Sequence, residues 1–413
     1  MRGKVTSFVF FLPQGKWEVN TRQRMILALA RKVSDLCPES KILCVERPIC
    51  LTVTPFLDPG RFLGWIRERK SLRRISKNLS VLTPWVPIHD LVVLETPLLA
   101  QCGNVIPRYQ VRQALKHIGA EGHRLITWVY HPYQRHYCQI LRQDLLIYEV
   151  YDEYHEFAGV RHKKRRVCQI RRNEQIILKK ADIALATSTN IHRRLASLHP
   201  KVFLIPNGAD VDHFANKPQN TSIPLEIENV TRPIIGFVGK INEQIDYPLI
   251  NQLAINHPEW SLVFLGNFDG QRSLKRDPDF LQAKSNPNIY FLGWRDYAQL
   301  PRYVHAFDVF LIPFVINTLT QSVYPLKLHE YLAAGKPVVS TDLPEVRPFE
   351  GIVRIAHDQD EFEQQVVAAL EERDEELRQR RLAAARENSW ERRAETIVRI
   401  LDLALAERTG GMV

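Results

Sequence analysis

Residues 324–341 read YPLKLHEYLAAGKPVVST, and the punctuation of this stretch decides the class of fold. Pro325 suits the first helical position, where a missing N–H costs nothing. Gly335 and then Pro337 stop the helix before an apolar strand at 338–340. A short helix feeding directly into a buried strand is the repeating half of an α/β sheet. At the start of that helix the amides of Leu326 and Lys327 have no preceding turn to pair with and sit at the positive end of the helix dipole, which suits an anion such as a diphosphate. Glu330, one turn further on, has two acceptor oxygens, enough for both hydroxyls of a ribose. A solvated ion pair between Lys327 and Glu330 accounts for the same two residues. The pattern around them favours ligand binding at Glu330 and leaves Lys327 evenly balanced, because ligands of open α/β sheets collect beyond the carboxyl ends of the strands.

On either side of this unit the alternation recurs. In the second half, strands are expected at 234–238, 261–265, 289–292, 309–312, 338–340 and 353–355, with helices at 247–256, 297–306, 325–334 and 361–371. In the first half, strands at 6–12, 41–46, 80–83, 125–130, 145–148, 183–186 and 201–205 alternate with helices at 22–34, 109–118, 167–180 and 191–198. Such alternation implies α/β architecture with mostly parallel sheets covered on both faces. A chain of 413 residues exceeds what one core usually serves. The expected division is a first domain over 1–211, a polar, proline-bearing linker over 212–233, and a second domain over 234–390. A charged helix over 391–413 is expected to pack back on the first domain.

Several classes are disfavoured by composition. No run of eighteen apolar residues is present to span a bilayer. The apolar run Phe8–Leu12 lacks a small-residue cleavage site, so it reads as a strand rather than a signal peptide and the protein is expected to be cytoplasmic. The six cysteines, Cys37, Cys44, Cys50, Cys102, Cys138 and Cys168, form no C-x-x-C pair, so no metal site and no disulfide framework is expected.

Charge separates the halves: residues 1–200 carry 33 Lys and Arg against 16 Asp and Glu, while 201–413 carry 23 against 30. Two clusters concentrate the excess, RFLGWIRERKSLRRISKNL at 61–79 and RHKKRRVCQIRR at 161–172. The first interleaves Phe62, Leu63, Trp65, Ile66, Leu72 and Ile75 with seven bases and one acid, the pattern of a basic amphipathic helix on anionic lipid. A helix whose apolar face packs on its own domain explains it nearly as well. No nucleic-acid reader motif accompanies the bases, so nucleic acid is not an expected partner.

In chain order, IPNGADVDHF (205–214), GFVGK (236–240), PNIYFLGW (287–294), FDVFLIPF (307–314) and YPLKLHEYLAAGKPVV (324–339) resemble the GT-B glycosyltransferases. Among these the chain looks most like the family-4-type enzymes of teichuronic acid and exopolysaccharide synthesis. Weaker echoes lie at 17–29, 128–132 and 151–159. The resemblance implies two doubly wound Rossmann-like domains facing a cleft, with a nucleotide sugar, UDP-linked, on the second and a carbohydrate or lipid-linked acceptor on the first. It implies hexosyl transfer without metal or cofactor, at the inner face of the membrane, with an anionic membrane surface as a further partner. Position by position, Gly239 lets backbone approach the diphosphate, Lys240 takes the place of a phosphate-binding arginine, Trp294 and Arg295 fall where the base is held, and Glu330 matches the ribose-binding glutamate. Trp294 suits a core position equally well, and Lys240 a solvent-facing loop.

Two departures stand out. Ser322 occupies the place of a glutamate usual in the family, and Ile245, followed by Asp246, that of a second phosphate-binding lysine. Retention or inversion of the anomer is therefore left open, and the donor sugar falls to groups within 318–321 or to Lys327. Asp152, Glu153 and His131 are candidate bases beside strand ends, although a histidine next to a proline is more often a turn residue. Arg22 and Arg24 are candidates for an anionic acceptor or for a helix surface. Two alternatives to transfer remain, a nucleotide-sugar epimerase of the same architecture and a non-catalytic membrane-surface binding protein.

Overall fold

The computed structural model describes residues 5–13, 16–19, 22–68, 71–87, 105–157, 160–216, 223–268 and 274–410. It divides into two compact units, Met1–Pro206 with Arg393–Val413, and Asn207–Arg392.

The strands of the first unit are β1 (Thr6–Phe11), β2 (Ile42–Val45), β3 (Ile49–Cys50), β4 (Leu72–Arg74), β5 (Leu79–Leu82), β6 (Trp85–Val86), β7 (Arg124–Val129), β8 (Leu145–Val150), β9 (Ile183–Ala186) and β10 (Val202–Leu204). Eight of them form one sheet in the order β10-β9-β8-β7-β1-β2-β5-β4, and β3 pairs separately with β6. The large sheet is parallel except where β4 runs antiparallel to β5. Its central strands are buried on both faces, which is why β1 reads as the unbroken run TSFVFF instead of alternating. The helix Gln23–Leu36 buries Met25, Ile26, Ala28, Leu29, Ala30 and Val33, one face at helical spacing.

The helix Trp390–Gly410 returns to this unit. Ile397, Val398, Leu401 and Leu405 are buried, and Glu395 pairs with Lys32 at 3.0 Å. Near its end, Glu407 pairs with Lys201 and Arg408 with Asp182.

The basic stretch at 61–79 is not one helix. The helix Pro59–Glu68 ends within it, and the chain then enters the β4–β5 hairpin, in which Arg74 lies opposite Ser80. Arg73 is held there by Glu18 and by the buried Glu46, at 2.9 and 3.0 Å, so a sheet edge with its own ion pairs takes residues that helical periodicity alone would assign to the helix. Arg69 and Lys70 lie outside the described residues.

The second unit has β11 (Ile234–Val238), β12 (Ser261–Leu265), β13 (Ile289–Gly293), β14 (Val309–Ile312), β15 (Val338–Thr341) and β16 (Arg354–Ala356). All pairings are parallel, in the order β13-β12-β11-β14-β15-β16. The chain winds outward from β11 in one direction and then, from β14, in the other, which places a topological switch point between these two neighbours.

The boundary between the units falls after Pro206, upstream of the expected connector at 212–233. Within it Phe214 and Ile227 are buried in the second unit's core, so the parts around them are spent on packing. Residues 217–222 lie outside the described ones. No helix among the described residues is long and apolar enough to cross a membrane.

Candidate functional site

The helix of the opening motif spans Leu326–Ala333, with Pro325 at the N-cap, one position earlier than the sequence pattern places it. Its end is a Schellman turn: the Gly335 N–H donates to Leu332 O (2.9 Å) and the Lys336 N–H to Tyr331 O (3.2 Å). Gly335 takes φ +69°, a conformation that side chains with a Cβ disfavour. The helix is keyed to the sheet by Tyr331, whose hydroxyl accepts from Val238 N (2.8 Å) and donates to Val238 O (3.1 Å). Val238 is the last residue of β11, so the helix is held beside the switch point.

Two loops meet there. The Asp246 N–H donates to Pro313 O (2.8 Å), the Val315 N–H donates to Gln244 O (2.9 Å), and Ile245 bridges Phe314. This explains one departure noted in the sequence. Ile245 is buried in the core, and the Asp246 carboxylate accepts from Leu249 N, capping the helix Tyr247–Asn256; both positions serve packing rather than an anion.

Lys327 supplies the enclosed charge instead. Its Nζ lies 4.8 Å from the ring centroid of Phe237 on β11 and 4.9 Å from that of Phe314 after β14. Burial against these rings lowers the Lys327 pKa to about 8, partly offset by the Glu330 carboxylate on the same helix face. Gly239, at φ +150°, passes directly under this lysine: a Cβ there would lie 2.7 Å from Lys327 Cε and 3.1 Å from Nζ. The carbonyl of Gly239 in turn fills the space a side chain on Gly266 would need. Lys240 is exposed at the end of β11, and Leu326 and Lys327 open the helix with amides that no earlier turn can receive.

Trp294 and Arg295 follow β13, two strands from β11 in the same sheet. Trp294 is exposed, so it is not a core residue. Arg295 is committed locally, donating to Leu292 O (2.7 Å), Tyr303 Oη (2.9 Å) and Glu226 (2.9 Å). The loop before the helix is also self-contained: Thr320 Oγ1 donates to Val315 O and accepts from Asn317 N, and Ser322 is buried. Thr320 is therefore not a free hydroxyl for a sugar.

In the first unit, the carboxyl ends of β1 and β7 are clamped by Gln134. Its amide nitrogen donates to Phe11 O and Leu12 O, and its oxygen accepts from Tyr130 N and His131 N. A cavity of about 280 Å³ opens there, lined in part by Leu12, Glu46, Arg47, His131 and Gln134. The His131 Nδ1 accepts from Tyr133 N, so the neutral ring carries its proton on Nε2 and presents a donor. Burial, with the Arg47 charge nearby, lowers its pKa to about 4. At neutral pH this ring is arranged to donate a hydrogen bond rather than take a proton.

Asp152 follows β8 and is half-buried. Glu153 is paired with Arg194 at 2.8 Å, a structural use that removes it as a base. Arg22 is buried against Glu149, at 3.1 Å, with its guanidinium 4.3 Å from the Tyr151 ring centroid; it is neither on a helix surface nor open to an acceptor. Sequence reasoning missed Glu46 and Glu149, which the fold turns into anchors. Glu46 accepts from Trp17 N and Thr83 Oγ1, both at 2.6 Å. A single acid ending or following an apolar strand was the only signal for either. Among the described residues, no group of three or more His, Cys, Asp and Glu side chains is placed to hold a metal ion.

This architecture and the known proteins it matches agree. The fold is that of the GT-B glycosyltransferases, and residues 232–372, which contain every strand of the second unit's sheet, match the family described as Glycosyl transferases group 1. The chain is 28% identical over 236 residues to TuaH of Bacillus subtilis (strain 168), a protein whose name assigns it provisionally as a teichuronic acid biosynthesis glycosyltransferase. That match covers 54% of this chain and 57% of TuaH, so it spans little more than half of either. Among solved structures, a sucrose-phosphate synthase from Thermosynechococcus elongatus superposes with a TM-score of 0.69 at 14% identity, covering 97% of this chain and all of that one. Anabaena HepE in complex with UDP and glucose gives 0.63 at 15% identity, over 97% of this chain and all of its own. The α,α-trehalose 6-phosphate synthase of Burkholderia multivorans gives 0.65 at 12%, covering both chains completely. At these identities the likeness is one of fold.

Proposed function

We propose that this protein is a glycosyltransferase that moves a hexosyl group from a UDP-linked sugar to a carbohydrate or lipid-linked acceptor in cell-surface polysaccharide synthesis. The observation that carries the reading is the enclosed Lys327 ammonium at the switch point, between Phe237 and Phe314 and directly over the backbone of Gly239. A diphosphate laid along that backbone meets the ammonium and the free amides of Leu326 and Lys327 together. Lys240 adds a second, exposed charge at the rim. Together these groups offset the negative charge that develops on the leaving UDP, so the transfer needs no metal.

Glu330, on the face of Lys327, accepts from the ribose hydroxyls, and the exposed Trp294 stacks on the base with Arg295 holding its loop. The likeness to the fold of HepE, solved with UDP and glucose, and the partial match to TuaH support the donor class and the polysaccharide setting. In the first unit, Asp152 is the acceptor-side carboxylate and His131 donates from Nε2 to a sugar hydroxyl. No cofactor takes part, and the protein works on the cytoplasmic side.

The test is calorimetry with UDP and UMP, followed by incubation with UDP-sugars and mass spectrometry. Binding that requires the diphosphate, with UDP released on adding an acceptor, supports the reading. Isomerised donor with no release of UDP would make the protein an epimerase, and failure to bind UDP at all would remove the donor site.

A further inference from the structure

We propose that the segment Thr54–Glu68 is a docking surface for an anionic lipid bilayer. The helix Pro59–Glu68 carries Phe62, Leu63, Trp65 and Ile66, yet none of its described side chains is buried. By contrast, the helix Gln23–Leu36 of the same unit buries six. An amphipathic helix in a folded domain normally hides its apolar stripe, since that burial is most of what stabilises it.

Here the apolar groups turn outward. Leu63 and Ile66, three residues apart and so on one face, are 51% and 47% exposed. Phe56 and Leu57, at the end of the preceding turn Thr54–Leu57, are 84% and 77% exposed. Leucine and phenylalanine this exposed, gathered in a dozen residues of chain, present apolar surface of the kind that marks an interaction site.

Charge selects the occupant. Arg67 on the helix and Arg74, Ile75 and Lys77 on the adjoining hairpin are exposed, and of the charged residues in the sequence of 61–79 seven are bases and one is an acid; Arg73 among them is taken up by Glu18 and Glu46. The exposed Asp58 is engaged in capping, its carboxylate accepting from Arg61 N at 3.0 Å. A patch of aliphatic and aromatic side chains bordered by arginine and lysine complements a bilayer, with acyl chains for the first and lipid phosphates for the second. A protein partner would need matching acids around a complementary apolar face, whereas a bilayer needs no shape complementarity.

The experiment is cosedimentation of the full chain with vesicles of phosphatidylcholine alone and of phosphatidylcholine with phosphatidylglycerol, across ionic strength. Binding is expected to the anionic vesicles and to weaken with salt. A variant carrying Phe56→Ser, Leu57→Ser, Leu63→Ser and Ile66→Ser is expected to bind them about tenfold more weakly or less, with an unchanged melting temperature. Arg67→Glu with Lys77→Glu is expected to remove most of the salt dependence. Affinity for UDP is expected to be the same in all variants, which separates this result from the fate of the donor site.

Equal binding to both vesicle types, or serine variants that bind as well as the parent, would overturn the proposal. So would a serine variant that melts several degrees lower, since the face would then be packed within the fold. Light scattering that shows a dimer dispersed by the serine substitutions, with lipid binding intact, would assign the face to a second copy of the chain and likewise overturn it.

Discussion

Gly239 and Lys327 share one space: the backbone that leaves β11 occupies the position from which any side chain would strike the lysine's terminal carbon, at 2.7 Å. Gly239→Ala therefore combines two penalties, a φ of +150° that alanine resists and a displaced ammonium. The expected result is a loss of about 1–3 kcal/mol in stability by urea unfolding, together with a roughly tenfold weaker affinity for UDP by calorimetry. Unchanged UDP affinity would separate the lysine from the diphosphate.

Lys327 also gives the site a pH signature. Folded, its pKa is lowered to about 8 by burial; unfolded, a lysine keeps its proton to about 10.4. Between those values the unfolded chain binds more protons, so this residue makes stability rise with pH across that window. At pH 7 the buried charge is a cost, and Lys327→Met is expected to raise stability by about 1–3 kcal/mol. The gain should vanish above pH ~10.4, while UDP binding is lost at every pH.

The same shift predicts proton uptake when UDP binds near pH 8.5, because a diphosphate favours the charged ammonium. Calorimetry in two buffers of different ionisation enthalpy measures it. Lys327→Arg, charged throughout, should abolish the uptake.

Glu330 is expected to read the ribose. Glu330→Ala should weaken UDP binding by about tenfold or more, the worth of a hydrogen bond to a charged group. The decisive readout is the ratio of affinities for UDP and 2′-deoxy-UDP, which should exceed one in the parent and fall to one in the variant. A melting temperature within a degree or two of the parent would show that the effect is local.

Arg22→Ala should act on stability alone. It leaves the buried Glu149 carboxylate without its cation, with only the Trp128 Nε1–H donating to it at 2.9 Å. Burial already raises the Glu149 pKa against the pull of Arg22, so removing the arginine is expected to cost roughly 3–5 kcal/mol in urea unfolding. Arg22→Ala with Glu149→Gln should recover much of it. A change in UDP affinity without a change in stability would contradict this assignment.

The strands of both sheets were legible because parallel, doubly covered strands read as largely apolar runs; β11 and β14 are wholly apolar, and β1 and β8 carry only Thr6, Ser7 and Glu149 as exceptions beside tyrosine. The helix Leu326–Ala333 was legible from its punctuation. What the sequence hid is decided by distant partners. Arg73 follows a helical pattern yet joins a sheet edge, since Glu46, just past a strand 27 residues away, offers a buried carboxylate. Likewise, Lys327 read equally well as one half of a surface pair with Glu330; only the rings of Phe237 and Phe314, 90 and 13 positions back in the chain, make it an enclosed cation. Trp294 was ambiguous because an aromatic after a strand packs inward or outward according to neighbours the local sequence does not name.

The paired hydrogen bonds between the Tyr331 hydroxyl and both polar groups of Val238 act as a bolt with two threads. Sliding the helix by one residue would strip both, leaving a buried phenol and an unmet peptide group. The rigid parts of the proposed nucleotide cradle are thus set before any guest arrives, and whatever adjustment accompanies binding falls to side chains and connecting loops. Selectivity at this end of the sheet is accordingly a matter of fit to a fixed template.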